Sequence, residues 1–264
     1  MIGEFLMVLF FDIDGTLWDY KNWIPDTTKE GIRRAKENGH KCFLNSGRAR
    51  SFISNKELLG LGFDGIVSAC GCMIENNGEI IFNRLINSDD AIRTVETVNR
   101  YNFKSILEGP RYLYLERSDF EGDMYGEKVM TEMGDRLRSI NDNWGKWEMN
   151  KLSCATIDCD TKSCFAELSD LYDFIIHNEA IVEMVPKGFN KGTGIEKVCE
   201  LLSEDIRNTI AFGDSVNDMD MLEVAGKSVA MGRAPEEVKK TADFVTTYLE
   251  DDGIWNALKK FELI

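Results

Sequence analysis

The residues able to do chemistry in this chain are carboxylates, and they follow apolar runs. Leu6-Met7-Val8-Leu9-Phe10-Phe11 leads straight into Asp12-Ile13-Asp14-Gly15-Thr16. A short apolar run of this composition reads as a buried strand of a parallel sheet. Two acids at its carboxyl end are costly unless something binds there, and that edge is where open α/β sheets hold ligands. Carboxylate and carbonyl oxygens suit a hard divalent cation such as Mg²⁺. Taken alone, DxDG also reads as a solvated Asp-Gly turn. Two more runs end in polar groups, however: 41–45 in Ser46-Gly47-Arg48, and 209–212 in Gly213-Asp214, with Asn217 and Asp218 close behind. Lys191 opens a helical pattern just before Gly192. A doubly wound sheet brings all of these to one edge. Acids, a hydroxyl and an ammonium gathered there are the parts of metal-assisted phosphoryl transfer: the metal neutralises charge, lysine and hydroxyl hold phosphate oxygens, and a free carboxylate attacks.

The elements that must position these residues alternate strand and helix. A loop over 18–25 leads to a helix with Asp26-Thr27-Thr28 as cap residues and Gly39 as its stop. The strand at 41–45 then lies parallel to the first through a right-handed crossover. A helix at about 50–61, a strand at 65–69 and a hairpin around Asn76-Asn77-Gly78 follow. From 83 the pattern changes to an α+β block. It has a helix from Ser88 to 101, strands at 103–107 and 112–116, and a polar helical region over 123–140. A strand at 152–158, an amphipathic segment at 164–176 and a strand at 180–185 complete it. The doubly wound pattern resumes with helices at 191–202, 218–225, 236–241 and 253–261 and strands at 209–212, 228–231 and 244–246. The expected fold class is therefore α/β, a doubly wound parallel-sheet (Rossmann-like) core in two parts, 1–83 and 186–264. An α+β domain is inserted at 84–185, with hinges near Arg84 and Pro186.

Composition narrows the function. With 31 basic and 46 acidic residues the net charge is -15, which disfavours nucleic acid and anionic membranes as partners. An anionic substrate then needs a local positive site. No apolar run reaches the roughly 18 residues of a membrane helix, and the apolar start lacks the basic flank and cleavage site of a signal peptide. Seven cysteines, an odd number spread through apolar segments, read as reduced core thiols of a cytoplasmic protein. Cys70-Gly71-Cys72 has neither zinc-knuckle nor CxxC spacing. The two histidines, His40 and His177, are too few for a histidine metal site and are expected at the surface. The 264 residues allow a monomer or a homodimer.

In its motifs the chain resembles the haloacid dehalogenase-like (HAD) superfamily, and within it the Cof-type phosphatases with a large α/β cap. Asp12-Ile13-Asp14-Gly15-Thr16 stands for the first motif, Asn45-Ser46-Gly47-Arg48 for the second and Lys191-Gly192 for the third. Gly213-Asp214-Ser215-Val216-Asn217-Asp218-Met219 stands for the fourth, and 225–232 and 242–246 follow the family's closing sequence. The resemblance implies that Asp12 attacks phosphorus to form an aspartyl-phosphate. Asp14 would protonate the leaving alcohol and then deprotonate the attacking water. It implies Mg²⁺ held by Asp12, the Asp14 main-chain carbonyl and Asp214, with Asp218 supporting its waters. Ser46 and the Gly47 amide would bind the phosphoryl oxygens and Lys191 would neutralise charge. Asn217 would contact phosphate or hold Lys191. The implied substrate is a small phosphorylated metabolite: a sugar phosphate, a nucleotide or a phosphorylated cofactor. A sugar phosphomutase on the same scaffold and a non-enzymatic phosphate sensor are the alternatives. Ser46 replaces a commoner threonine, Arg233 stands where asparagine is frequent, and 121–146 matches no motif.

Overall fold

The computed structural model describes residues 6–122 and 124–264. They form two compact units. One comprises the chain up to Gly47 with Asn55–Phe82 and Asn190–Ile264; the other comprises Arg48–Ser54 and Asn83–Phe189.

In the first unit, β1 (Val8–Phe11) is buried at every position, as a strand covered on both faces must be. After it come β2 (Lys41–Asn45), β3 (Gly65–Ser68), and a hairpin of β4 (Met73–Asn76) and β5 (Glu79–Asn83). The Asn77-Gly78 turn has both residues at positive φ (50° and 81°), the conformation a tight hairpin turn requires. In the second unit the strands are β6 (Lys104–Glu108), β7 (Leu113–Tyr114), β8 (Leu137–Arg138), β9 (Lys151–Ala155), β10 (Tyr172–Asn178) and β11 (Ile181–Pro186). The chain then returns to the first sheet with β12 (Thr209–Gly213), β13 (Lys227–Ala230) and β14 (Phe244–Val245).

The first sheet runs β14-β13-β12-β1-β2-β3-β4-β5. The pairs from β14 through β3 are parallel, and β4 turns antiparallel to β3. This is the expected doubly wound core. Phe11 of β1 lies level with Phe212 on one side and Leu44 on the other. The residues that follow these three therefore share one edge, however distant in sequence. Beneath them Phe10, Phe43, Val67, Ile195, Val198, Ala211 and Met221 form a buried apolar cluster. The helices of this unit are α1 (Asp26–Glu37) and α2 (Lys56–Leu59). The second unit has α3 (Ser88–Arg100), α4 (Met124–Met133) and α5 (Thr161–Leu168). The return segment adds α6 (Lys191–Leu202), α7 (Met219–Val224), α8 (Glu236–Thr241) and α9 (Gly253–Lys260).

The second unit has a separate sheet of order β10-β11-β9-β6-β7-β8, antiparallel except where β7 meets β8. Leu107, Leu152, Cys154, Val182 and Met184 on one face bury against Val95 and Val98 of α3 and Cys164 and Leu168 of α5. On the other face Ile106 joins Leu113, Leu115, Phe120, Val129 and Met133.

Several sequence expectations yield to the structure. Residues 50–61 form a 3₁₀ turn at Arg50–Phe52 and the single-turn α2, capped by Asn55, whose side chain accepts from the Glu57 and Leu58 amides. The amphipathic segment 164–176 divides: α5 ends at Leu168 and β10 begins at Tyr172, because a short apolar run does not distinguish helix from strand by period. α1 has no side-chain cap. α3 is capped by Asn87, which accepts from the Asp90 amide, not by Ser88. His40 is buried, its Nδ1 accepting the Met7 amide, whereas His177 is exposed as expected.

Candidate active site

Each functional side chain sits just past a strand or at a helix start. Asp12 directly follows β1, and its amide donates to the Phe212 carbonyl at 2.9 Å, extending the strand pairing by one residue. The residue is buried, at 4% exposure. Lys191 is the first residue of α6, whose start is set by Asn190: its side chain accepts from the Thr193 amide while the Thr193 hydroxyl accepts from the Asn190 amide. That reciprocal cap fixes where the helix begins. Asn45, at the end of β2, donates from Nδ2 to the Lys191 main-chain carbonyl at 2.9 Å. Buried Gly192 lets α6 press against α7, since a Cβ there would lie 2.5 Å from the Asp220 carbonyl oxygen.

So held, Lys191 points its ammonium into the acids. Nζ donates to Asp12 Oδ1 at 2.6 Å and to Asp218 Oδ1 at 2.5 Å, with Asn217 Oδ1 at 3.4 Å. The other Asp218 oxygen accepts from the Asp214 and Ser215 amides, each at 2.9 Å, and from the Ser215 hydroxyl at 3.0 Å. Asp218 thus caps the turn after β12 and binds the lysine at once. Asp214 Oδ1 accepts the Thr16 hydroxyl at 2.8 Å. The first turn brings Thr16 there through Gly15, at φ +86°; a Cβ on that glycine would lie 2.2 Å from Asp214 Oδ2.

Asp12, Asp214 and Asp218 each offer an oxygen within 4.8 Å of the others. Three carboxylates against one ammonium leave an excess of negative charge in a poorly solvated place. Burial and the Asp218 charge push the Asp12 carboxyl well above the usual carboxylate range, with Lys191 opposing. Burial and Asp218 likewise push Asp214 up to about 7. For Lys191, burial alone would lower the pKa, but Asp12 and Asp218 outweigh it and the group is held firmly protonated. This excess of carboxylate oxygens and raised acid pKa values are what a hard divalent cation reverses. The donor set therefore fits Mg²⁺.

The Asp14 side chain takes no part in that trio. It is exposed, and its Oδ1 accepts the indole N–H of Trp18 at 2.9 Å. Ser46 follows β2 and is buried, its amide donating to the Val67 carbonyl at 2.9 Å. Gly47 comes next on the same edge. Arg48 begins the segment that belongs to the second unit, its guanidinium lying over the Phe52 ring at 4.8 Å. The structure thus joins Asp12, Lys191, Asn217 and Asp218 by direct contact, places Asp214 beside them, and leaves Asp14 with a different partner. Thr16, Trp18, Asn45 and Ser215 also hold the site together, and sequence reasoning assigned them no role. Thr16 and Ser215 lie within recognised motifs, but the hydroxyls' targets depend on the turns; nothing in the sequence marks Trp18 as a donor.

Residues 9–258 match the haloacid dehalogenase-like hydrolases. The chain belongs to this family. Its HAD core carries the four motifs on one edge, and its large inserted unit agrees with the Cof-type branch. YkrA of Bacillus subtilis (strain 168) is 29% identical over 97% of this chain and 98% of its own. The 5-amino-6-(5-phospho-D-ribitylamino)uracil phosphatase YitU of the same strain is 25% identical over 96% of this chain and 97% of its own. Among solved structures, the HAD subclass IIB sugar phosphatase BT4131 superposes with a TM-score of 0.81 at 26% identity, covering 98% of this chain and 100% of the other. This HAD protein is a phosphatase acting on phosphorylated substrates.

Proposed function

We propose that this HAD phosphatase is Mg²⁺-dependent and hydrolyses a small phosphorylated metabolite through an aspartyl-phosphate on Asp12. The observation that carries the reading is the buried Asp12–Lys191–Asp218 chain beside Asp214, with Asp14 held apart by its own partner. One carboxylate is thereby committed to the charged centre and another is kept for proton transfer, the division of labour an acyl-phosphate route requires.

Mg²⁺ would be held by the Asp12 carboxylate, the Asp14 main-chain carbonyl and Asp214, with Asp218 behind them. When bound it supplies charge neutralisation that lets an anionic carboxylate meet an anionic phosphate. Asp12 attacks phosphorus, and Lys191 offsets the charge shared between the two. Asn217, which accepts the Ser215 hydroxyl at 2.6 Å, steadies the ammonium. Ser46 and the Gly47 amide hold phosphoryl oxygens. Asp14 gives a proton to the departing alcohol and later takes one from the water that hydrolyses the acyl-phosphate.

The substrate we infer is a sugar phosphate or a phosphorylated polyol carrying a base, the classes named for BT4131 and YitU. The inserted segment of the second unit, Asn83–Phe189, is the part we assign to substrate selection. We place the enzyme in the cytoplasm, as a monomer or homodimer; its seven cysteines are free thiols, as a reducing compartment favours. The test is release of inorganic phosphate from a metabolite panel with and without Mg²⁺, beside Asp12→Ala. Wild type should require the metal, and the variant should fold but release nothing above background. Turnover by Asp12→Ala, or full activity after chelation, defeats the reading. Isomer formation exceeding phosphate release would show a mutase instead.

A further inference from the structure

We infer that Trp18 is a positioning residue for Asp14, and that its indole N–H favours the transferable proton on the carboxyl oxygen it does not contact. This rests on the reading of Asp14 as general acid and base.

An exposed aspartate rotates about its side-chain bonds and presents either oxygen. Asp14 is exposed, yet its Oδ1 is tied at 2.9 Å to Nε1 of Trp18. The tie is firm because the tryptophan is. The residue is 4% exposed, and its amide donates to the Ile13 carbonyl at 3.2 Å. Its carbonyl accepts the Gly15 amide at 2.9 Å, and the backbones of Asp14 and Trp18 form a β-bridge. The turn that carries the acid is thus closed on the residue that orients it.

An indole N–H donates and never accepts. The carbonyl oxygen of a carboxylic acid accepts a hydrogen bond better than its hydroxyl oxygen, so an indole N–H aimed at Oδ1 favours the acid form with the proton on Oδ2. As the ester P–O bond breaks, that proton moves to the departing alcohol oxygen and Asp14 becomes a carboxylate. When water attacks the phosphorus held on Asp12, a new P–O bond forms and the bond to the Asp12 oxygen breaks. The water's proton passes to Asp14 Oδ2, restoring the starting state. The Trp18 hydrogen bond persists throughout and strengthens while the carboxylate is charged.

The test uses Trp18→Phe and Trp18→His in the full chain with saturating Mg²⁺. Phenylalanine removes the donor, whereas histidine keeps a ring N–H at the matching position of a five-membered ring. The readout is kcat/KM, which reports the transfer that expels the alcohol. It is compared for phenyl phosphate, whose leaving group needs a proton, and 2,4-dinitrophenyl phosphate, whose leaving group does not. Expected for W18F is a loss of about tenfold to a hundredfold on phenyl phosphate and under about twofold on the dinitrophenyl ester, with W18H recovering most of the loss. A merely structural role lowers both esters alike. Equal losses, or W18H as impaired as W18F on phenyl phosphate alone, overturn the assignment. If W18F fails to fold, W18H decides: a leaving-group dependence like wild type's supports the assignment and a steeper one overturns it. Asp14→Asn separates the two layers. Should it lose phenyl phosphate selectively while W18F does not, only the positioning role fails; should it show no selectivity, the acid–base reading itself fails.

Discussion

Metal-free protein should become less stable as pH rises from about 5.5 to about 8, and Asp214 contributes to that slope. Burial and the Asp218 charge push this carboxyl from 3.8 to about 7, while in an unfolded chain it titrates at about 3.9. The folded state holds the proton more tightly, so stability is highest below the unfolded value and falls until the folded pKa is passed. Each pH unit in that window is worth about 1.4 kcal/mol, so between about pH 5.5 and about pH 7 the group contributes a loss of about 2 kcal/mol and little beyond. At about 2–4 °C per kcal/mol for a chain of this size, the unfolding midpoint drops by about 4–8 °C. Asp12, raised by burial and by Asp218, pulls the same way. Asp214→Asn has no proton to lose there, so its curve should be flatter by about that amount. On the proposed site a cation would bind the ionised cluster, so saturating Mg²⁺ should raise the wild-type midpoint more at the higher pH and hardly raise that of the variant. Differential scanning calorimetry after chelation, at both pH values, is the assay. A midpoint that stays level or rises with pH, or an Asp214→Asn curve as steep as wild type, refutes the reasoning.

Gly15→Ala should cost about a hundredfold in phosphate release, since a Cβ 2.2 Å from Asp214 Oδ2 at φ +86° displaces the carboxylate by the order of an ångström. Circular dichroism spectra should stay close to wild type; activity within about threefold would show the loop absorbs the methyl. In the second unit, Lys151 is buried between Glu108 and Glu183, its Nζ 3.5 Å from Glu108 Oε1 and paired with Glu183. Lys151→Met leaves two acids facing each other and should destabilise by about 3–5 kcal/mol in urea denaturation. Adding Glu108→Gln should restore part of that loss, and a double variant no better than the single would place the damage in packing, not charge.

The core was readable because its strands are apolar throughout and end abruptly in charge. Val8–Phe11 into Asp12 and Thr209–Gly213 into Asp214 announce both a buried strand and a site at its end. α6 was readable to the residue from Lys191-Gly192 onward, while its cap at Asn190 came from the structure. The insert was harder. Its short strands carry one buried face, so 164–176 reads equally as helix or strand, and only the pairing of β10 with β11 decides the second half.

Which residues are candidates for the chemistry followed from side-chain type and from the turns that end each run: carboxylates, a hydroxyl and an ammonium are legible as letters. Which oxygen each one uses, and what holds it, belonged to the folded chain alone. Lys191 divides its protons between Asp12 and Asp218, and Asp14 is claimed by Trp18 instead of the acidic trio. Lys191 and Asp12, or Thr16 and Asp214, are up to 198 positions apart, whereas Asp14 and Trp18 meet within one turn. Hydrogen bonds act over about 3 Å, so the long-range choices exist only once parallel strands have brought distant turns to a common edge.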